Sequence, residues 1–189
     1  MRVLVACEYS GTVRDAFIAR GHDAWSCDLL PTDVDGPHIH GDVTEILGDG
    51  WDLMIAHPPC TALCVSGNRH YANTQAREDA LSFFRAFLDA PIDKVCVENP
   101  VGVVSSRIRK PDQYIQPWEY GHAESKKTGL WLKGLAQLKS TNVLPLPDCG
   151  YWDNQTPSGQ NKLGPSPDRW KIRSATYEGI ARAMAAQWA

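Results

Sequence analysis

One short stretch, Trp51 to Cys64, constrains the fold more than any other part of the sequence. Leu53–Ala56 is an apolar run of strand length, and a His-Pro-Pro-Cys sequence follows it directly. Proline has no N–H and holds the preceding residue in extended backbone, so the two prolines end the strand stiffly. The sequence therefore predicts a buried strand with Cys60 just beyond its carboxyl end. Ligands bind at that edge of an open α/β sheet, and a thiol held there can be a nucleophile.

A carboxyl group follows a second strand-like run in the same way. Lys94–Val97 is mostly apolar and leads directly into Glu98. Because the carboxyl ends of neighbouring parallel strands meet at one edge, we expect Glu98 to face the same crevice as Cys60. Such a pair suits attack on an electron-poor ring, since the thiolate adds to carbon while the acid protonates a ring nitrogen.

The first part of the chain is predicted to be a βαβ unit. Val3–Ala6 and Asp23–Cys27 have the composition of strands, and Val13–Arg20 between them has that of a helix. This arrangement binds nucleotides in many α/β proteins, although the turn after the first strand contains a single glycine, Gly11. A carboxylate that ends the second strand, here Asp28, usually binds a ribose diol; a helix cap or a loop charge is the alternative.

The remaining elements follow from periodicity and turn residues. The helix predicted at Gln75–Leu88 carries phenylalanines on its apolar stripe, which indicates core rather than a base-stacking surface. Thr61–Thr74 is polar and lacks periodicity, which is typical of a mobile active-site loop. The other predictions are strands at His38–His40 and Leu130–Leu132, an irregular loop at Leu144–Asp168, an edge segment or substrate-contacting loop at Trp170–Ser174, and a final helix at Tyr177–Trp188.

Charge is distributed unevenly around a net value of -3. Residues 1–60 hold three Lys or Arg and ten Asp or Glu, a local net of -7, whereas residues 61–189 hold 16 and 12, a net of +4. An acidic cofactor half and a basic substrate half would suit a polyanionic substrate, and ordinary surface variation is the alternative.

The six cysteines are predicted to be free thiols in a reducing cytoplasm. No secretion signal precedes them, and no apolar run approaches membrane-spanning length, so no membrane partner is expected. Metal binding is not predicted. Cys60 and Cys64 have no second cysteine pair after them, and His38 and His40 have no third ligand nearby.

Taken in order, these residues resemble the DNA cytosine-5 methyltransferases. More narrowly, four sequences resemble small phage-encoded members of that family: His-Pro-Pro-Cys at 57–60, Glu-Asn-Pro at 98–100, Gln-Pro-Trp at 116–118 and Lys-Lys-Thr at 126–128. The resemblance implies a single-domain α/β protein, residues 1–189, with a Rossmann-like S-adenosylmethionine-dependent methyltransferase fold and helices on both faces of the sheet. Residues 1–60 would be its cofactor-binding half, and residues 61–189 its substrate half, with an irregular loop at 140–174.

The resemblance also implies a chemistry and a set of site residues. Cys60 would add to C6 of cytosine while Glu98 protonates N3, which makes C5 nucleophilic toward the methyl group of S-adenosylmethionine. Cys64 would have a supporting or incidental role. The residues implied to bind the cofactor are Cys7, Glu8, Ser10, Gly11, Asp28, Asp42, His57 and Pro58, and those implied to bind substrate are Ser66, Asn68, Arg69, Asn99, Lys126 and Lys127.

Three features depart from the family pattern. Cys7 and Tyr9 stand where the family usually has phenylalanine and glycine, and Lys126 and Thr128 replace arginines. Lys126 or Lys127 could still hold a phosphate, with a solvated lysine pair as the alternative. The third departure is the target-recognition domain, for which only residues 140–174 are available.

The missing domain bears on the partners. We expect DNA as substrate, little sequence specificity unless a protein partner supplies it, and a location in the cytoplasm, the host's if the gene is of phage origin. Two alternatives stay open at this point. The same fold could modify another pyrimidine in RNA, a nucleotide or a modified base, or the chain could be a weakly active subunit that binds cofactor or nucleic acid.

Overall fold

The computed structural model describes residues 1–167 and 169–189, in which one mixed sheet carries helices on both faces. The strands are β1 (Arg2–Ala6), β2 (Asp23–Asp28), β3 (His38–His40), β4 (Leu53–Ala56), β5 (Lys94–Pro100), β6 (Gln113–Ile115) and β7 (Thr128–Lys133). The helices are α1 (Thr12–Ile18), α2 (Asn68–Tyr71), α3 (Gln75–Asp89), α4 (Val104–Arg107), α5 (Arg169–Ser174) and α6 (Glu178–Trp188).

The seven strands lie in the order β3-β2-β1-β4-β5-β7-β6. β1 to β5 are parallel, and β7 runs antiparallel to both of its neighbours. From β1 the chain continues outward to β2, whereas from β4 it continues in the opposite direction to β5. The β1–β4 boundary is therefore a topological switch point, where the loops after the two strands diverge and leave a crevice at the carboxyl edge.

The sheet separates two hydrophobic cores. On one face α1 and α6 pack on alternate strand residues, with Phe17 and Met184 fully buried. On the other face α3 packs on the intervening strand residues through Phe84 and Phe87. All four residues of β4 are buried, because a central parallel strand is covered on both faces. This explains why the central strands are continuous apolar runs, and it confirms the predicted helices on both faces.

The segment predicted as a mobile loop at Thr61–Thr74 contains a 3₁₀ turn at Val65–Gly67 and the helix α2. Arg77 of α3 pins it, with Nε 2.9 Å from the carbonyl oxygen of Ala62 and Nη2 2.9 Å from Oδ1 of Asn68. The prediction of an irregular loop failed here because single-turn helices are too short to show hydrophobic periodicity.

A second correction concerns the end of the predicted irregular loop at 140–174. Its last residues form α5, where an edge segment or loop was predicted. Asp168, within the predicted loop at Leu144–Asp168, lies outside the described residues. β6 and α4 were not predicted, and the other strands and long helices lie at the predicted places with ends that differ by a few residues.

Candidate active site

The site begins where β4 and β5 end side by side. Ala56 pairs with Val97 in the ladder, so the next residues, His57 and Glu98, are also neighbours. Nδ1 of His57 lies 2.7 Å from Oε2 of Glu98. One residue further, Nδ2 of Asn99 donates to the carbonyl oxygen of Pro58 at 2.9 Å. These two bonds fasten the segment that leads to Cys60, and they add to the stiffness of the prolines.

The His57–Glu98 pair is largely buried, with each side chain 13% exposed. Burial by itself would lower the pKa of His57, but the hydrogen bond and the negative charge of Glu98 outweigh it, and the pKa is raised. Burial would likewise raise the pKa of Glu98, but the bond to His57 and its positive charge lower it. Both directions favour an imidazolium hydrogen-bonded to a carboxylate over two neutral groups.

Charges alternate along the carboxyl edge of the sheet. Glu8 follows β1, His57 follows β4, Glu98 lies in β5 and Lys126 precedes β7, in the same order as the strands. Glu8 raises the pKa of His57 through its charge, and Lys126 lowers the pKa of Glu98. The ammonium of Lys126 is held by the carbonyl oxygen of Ala175 at 3.1 Å. Opposite charges on neighbouring strands thus hold ionised groups at an edge where water is largely excluded.

Cys60 and Cys64 form a thiol pair. The N–H of Cys64 donates to the carbonyl oxygen of Cys60 at 2.8 Å, so the backbone turns back on itself and brings the two side chains close enough to shift each other's pKa. Their hydrogen bond and burial raise the pKa of Cys60. The same bond, with contacts from Ser66 and the amide of Gly67, lowers the pKa of Cys64 to about 5. These opposite shifts favour a thiolate on Cys64 over one on Cys60.

Helix α5 lies over this edge of the sheet. Trp170 packs against the ring of Tyr9 with a centroid distance of 6.1 Å, and Ser174 Oγ lies 3.3 Å from the Tyr9 hydroxyl. Lys171 pairs with Asp33 at 2.9 Å. Docked in this way, α5 brings Arg173 close enough for its charge to lower the pKa of Cys64. Sequence reasoning missed Arg173; the concentration of basic residues at 169–173 was the available signal.

The acidic residues predicted to bind a cofactor gather around Cys7. Burial, followed by the charge of Asp28, raises the pKa of Cys7, with a smaller contribution from Asp42. Asp28 Oδ1 accepts from the amide of Leu30 at 2.9 Å. Asp42 Oδ1 accepts from the amide of Thr44 at 2.9 Å, and this bond lowers the pKa of Asp42. The ends of β1, β2 and β3 thus share one acidic cluster.

The turn after β1 is built for structure. The buried carboxylate of Glu8 accepts from the backbone amides of Val13, at 2.7 Å, and Arg14, at 3.2 Å, and so caps α1. Ser10 Oγ donates to the same carboxylate at 3.2 Å. Gly11 has φ +74, and a Cβ there would lie 2.5 Å from Nη2 of buried Arg14. A direct contact of Glu8, Ser10 or Gly11 with a cofactor stays a prediction.

The residues predicted to bind substrate fall into two groups. Ser66 Oγ lies 3.1 Å from the Cys64 sulfur, and Asn99 is buried beside Pro58, so both belong to the site. Three others point to different surroundings: Asn68 is held by Arg77, Arg69 is exposed on α2, and Lys127 Nζ lies 4.5 Å from the ring centroid of Tyr114, away from Lys126.

One cavity lies away from the candidate site, and neither a metal site nor a membrane-spanning helix is found among the described residues. A cavity of about 470 Å³ between α1 and α6 contains none of the predicted site residues. Within residues 1–167 and 169–189, no group of His, Cys, Asp and Glu side chains is arranged to hold a metal ion. None of the helices described there is long and apolar enough to cross a membrane.

Comparisons with known proteins give a likeness in fold. No family model matches the sequence, and no curated protein matches it. Among solved structures, the chain is similar to a candidate DNA modification methyltransferase encoded within an E. coli prophage, with a TM-score of 0.53 and 15% sequence identity. The similarity covers 77% of this chain and 52% of the other, so the chain spans about half the length of that protein. At this identity, the likeness shows a shared α/β fold.

Proposed function

We propose that this protein is a methyltransferase that uses S-adenosylmethionine to methylate C5 of cytosine in DNA. The observation that carries the proposal is a thiol pair just after β4 and a hydrogen-bonded His57–Glu98 pair at the ends of β4 and β5, with the charge of Lys126 acting on both pairs. A fold shared with a candidate DNA modification methyltransferase supports it. Residues 1–189 act as one domain, with the acidic cluster of residues 1–60 as the cofactor end and residues 61–189 as the substrate half.

The thiol pair supplies the nucleophile. Cys60 passes its proton to the sulfur of Cys64, to which it is hydrogen-bonded, and the Cys60 sulfur forms a bond to C6 of the base. Electrons of the C5–C6 double bond move toward N3, which takes a proton from Glu98, and C5 becomes nucleophilic. After methylation, the C5 proton passes to solvent, the sulfur–C6 bond breaks to restore the aromatic ring, and the Cys60 sulfur takes its proton back from Cys64.

The acidic cluster fits a nucleoside-containing cofactor. Asp28 and Asp42 present carboxylates at the carboxyl edge beside Cys7, where they can accept hydrogen bonds from ribose hydroxyls and amino groups. When bound, S-adenosylmethionine supplies an electrophilic methyl group. Asp28 and Asp42 would hold it at the edge of the sheet where the loops after β1 and β4 diverge, on the same edge as the thiol pair.

Lys126 and Arg173 support a polyanionic substrate. Both cations act on Cys60 through their charges, and α5 adds the exposed side chain of Trp170 to the same edge. A phosphate next to the reacting nucleotide would be attracted to these cations. A base in a duplex has to be flipped out of the stack to reach Cys60.

DNA containing 5-fluorocytosine tests the proposal. Fluorine at C5 cannot leave as a proton, so the Cys60–C6 bond should persist as an adduct that resists denaturant. With cofactor present, we expect an adduct with the parent, a slower one with Cys64→Ser, and none with Cys60→Ser. Failure of every variant, with nucleoside mass analysis showing no 5-methylcytosine, would refute DNA cytosine methylation. An adduct that is lost in Cys64→Ser but kept in Cys60→Ser would show that Cys64 is the nucleophile.

A further inference from the structure

The two ring nitrogens of His57 differ in their surroundings. Nδ1 is bonded to Glu98, but Nε2 is buried and has no hydrogen-bond partner among the described residues. Among the described residues, Glu98 is therefore the side chain that is hydrogen-bonded to the imidazole ring. The family resemblance implies only that His57 binds the cofactor, whereas in the structure His57 is hydrogen-bonded to Glu98.

The ionised form of Glu98 is favoured, so the proton for N3 has to reach Glu98 from another group. The carboxyl group is bonded to the imidazole at 2.7 Å and has a second cation, Lys126, nearby, so its ionised form is favoured. A carboxylate donates nothing to N3 until it has received a proton. In this structure the group hydrogen-bonded to the carboxylate is Nδ1 of His57, which makes this ring the adjacent source of a proton.

We propose that His57 supplies Glu98 with the proton that Glu98 passes to N3, so that the two residues act as a proton relay in the reaction assigned to this site. The inference rests on the proposed function. The Nδ1–H bond of His57 breaks as its proton moves to Glu98, and the neutral carboxylic acid passes a proton to N3 while Cys60 bonds to C6. His57 ends neutral and Glu98 ends as a carboxylate. When the ring is restored, the N3 proton returns by the same route and His57 is recharged.

The surroundings of the pair favour a stored proton. Glu8 acts on His57 from the β1 side, and its negative charge favours the imidazolium. Lys126 acts from the β7 side and opposes it, but more weakly than Glu98. Burial, followed by the charge of Glu98, raises the pKa of the Cys96 thiol, and burial, followed by the bond to Glu124, raises the pKa of the Tyr177 phenol, so neither competes as an anion.

The activity test uses His57→Asn. The amide of asparagine can place an N–H near the position of Nδ1, so the bond to Glu98 can persist without a transferable charge. We expect the rate of methylation at neutral pH to fall by about tenfold or more. The parent rate should decline as pH rises through the raised pKa of His57. In His57→Asn the decline should begin at lower pH, because Glu98 has to be protonated on its own.

A matched control is His22→Asn, which alters a histidine at the opposite end of the sheet, next to Met1. It should leave the profile unchanged. Circular dichroism and thermal unfolding show whether His57→Asn folds. If folded His57→Asn loses rate equally at every pH, with its alkaline limit in place, His57 is structural and the relay is refuted.

A second measurement does not depend on methyl transfer. A ¹⁵N NMR titration of the imidazole should show His57 protonated at neutral pH in the parent, and Glu98→Gln should lower its pKa. An ordinary pKa that Glu98→Gln leaves unchanged would overturn the relay whatever the substrate is. If His57 titrates as expected but the parent does not methylate DNA, the proposed function is refuted. The proton held by the His57–Glu98 pair would then still be supported.

Discussion

At the scale of single residues, Cys64 differs from the other cysteines because donors surround its sulfur. The thiol of Cys60, the hydroxyl of Ser66 and the amide of Gly67 all stabilise its thiolate. The spacing of two cysteines four residues apart did not single out Cys64, which was assigned a supporting or incidental role. In the structure, it is the group that can accept the proton of Cys60.

This arrangement predicts selective alkylation at low pH. Thiolates are the reactive form, so Cys64 should react with iodoacetamide with a midpoint near its pKa of about 5. Cys60→Ala removes the thiol donor and should move the midpoint upward. Peptide mass mapping after timed alkylation across the range from acid to mildly alkaline pH measures this. The control is Cys149→Ser, since Cys149 is exposed and bonded to Tyr151 instead. An ordinary midpoint for Cys64 in the parent would contradict the thiol pair.

At the scale of elements, the turn from β1 into α1 sets the entrance to the switch-point crevice. Glu8 caps the helix, and Gly11 adopts a left-handed conformation that lets the buried side chain of Arg14 pass close by. Arg14 in turn bonds to the carbonyl oxygen of Asp35, so the loop after β2 depends on the same turn.

Two glycines, one at each end of α1, allow the cost of backbone strain to be measured separately from the cost of a side-chain clash. Gly21 has φ +82, and no atom lies within 4 Å of the position that a Cβ would take. Gly21→Ala should therefore cost about 1–2 kcal/mol from backbone strain alone. Gly11→Ala adds a clash with Arg14 and Val34 to the same strain and should cost clearly more. Chemical denaturation of both variants measures the difference. Equal losses would show that Arg14 moves aside without cost.

At the scale of the whole molecule, the charged groups and thiols at the carboxyl edge of the sheet fall into two sets. The acidic cluster lies at the ends of β1, β2 and β3, while the thiol pair and the cations Lys126 and Arg173 lie beyond β4 and β5. An acidic cofactor half beside a basic substrate half stays a prediction, with ordinary surface variation as the alternative.

S-adenosylmethionine should therefore stabilise the folded chain. At a concentration of about 100 times its dissociation constant it adds about 2.7 kcal/mol, which raises Tm by roughly 5–10 °C for a domain of this size. Asp28→Ala should reduce the shift, whereas Asp89→Ala, at the carboxyl end of α3, should not. Differential scanning fluorimetry with and without cofactor measures both. No shift in the parent at millimolar cofactor would contradict the cofactor assignment.

Much of the fold and part of the site follow from the sequence by itself. The apolar runs of β1, β4 and β5 identify central strands, because only strands covered on both faces are apolar throughout. The prolines after β4 determine that Cys60 lies just beyond a strand end, since proline acts on its immediate neighbours. These are local effects, and short segments contain the information that decides them.

Only the tertiary structure determined which side chains of the site contact each other. His57 and Glu98 are separated by 41 residues, and their bond depends on the register of β4 against β5. Arg173 reaches the thiol pair because α5 docks on Tyr9, and Cys64 meets Cys60 through a backbone turn within a segment without periodicity. Each contact follows from packing of elements far apart in the chain or from a turn with no sequence pattern. The residue types indicated the chemistry, and the packing determined which of them share a proton.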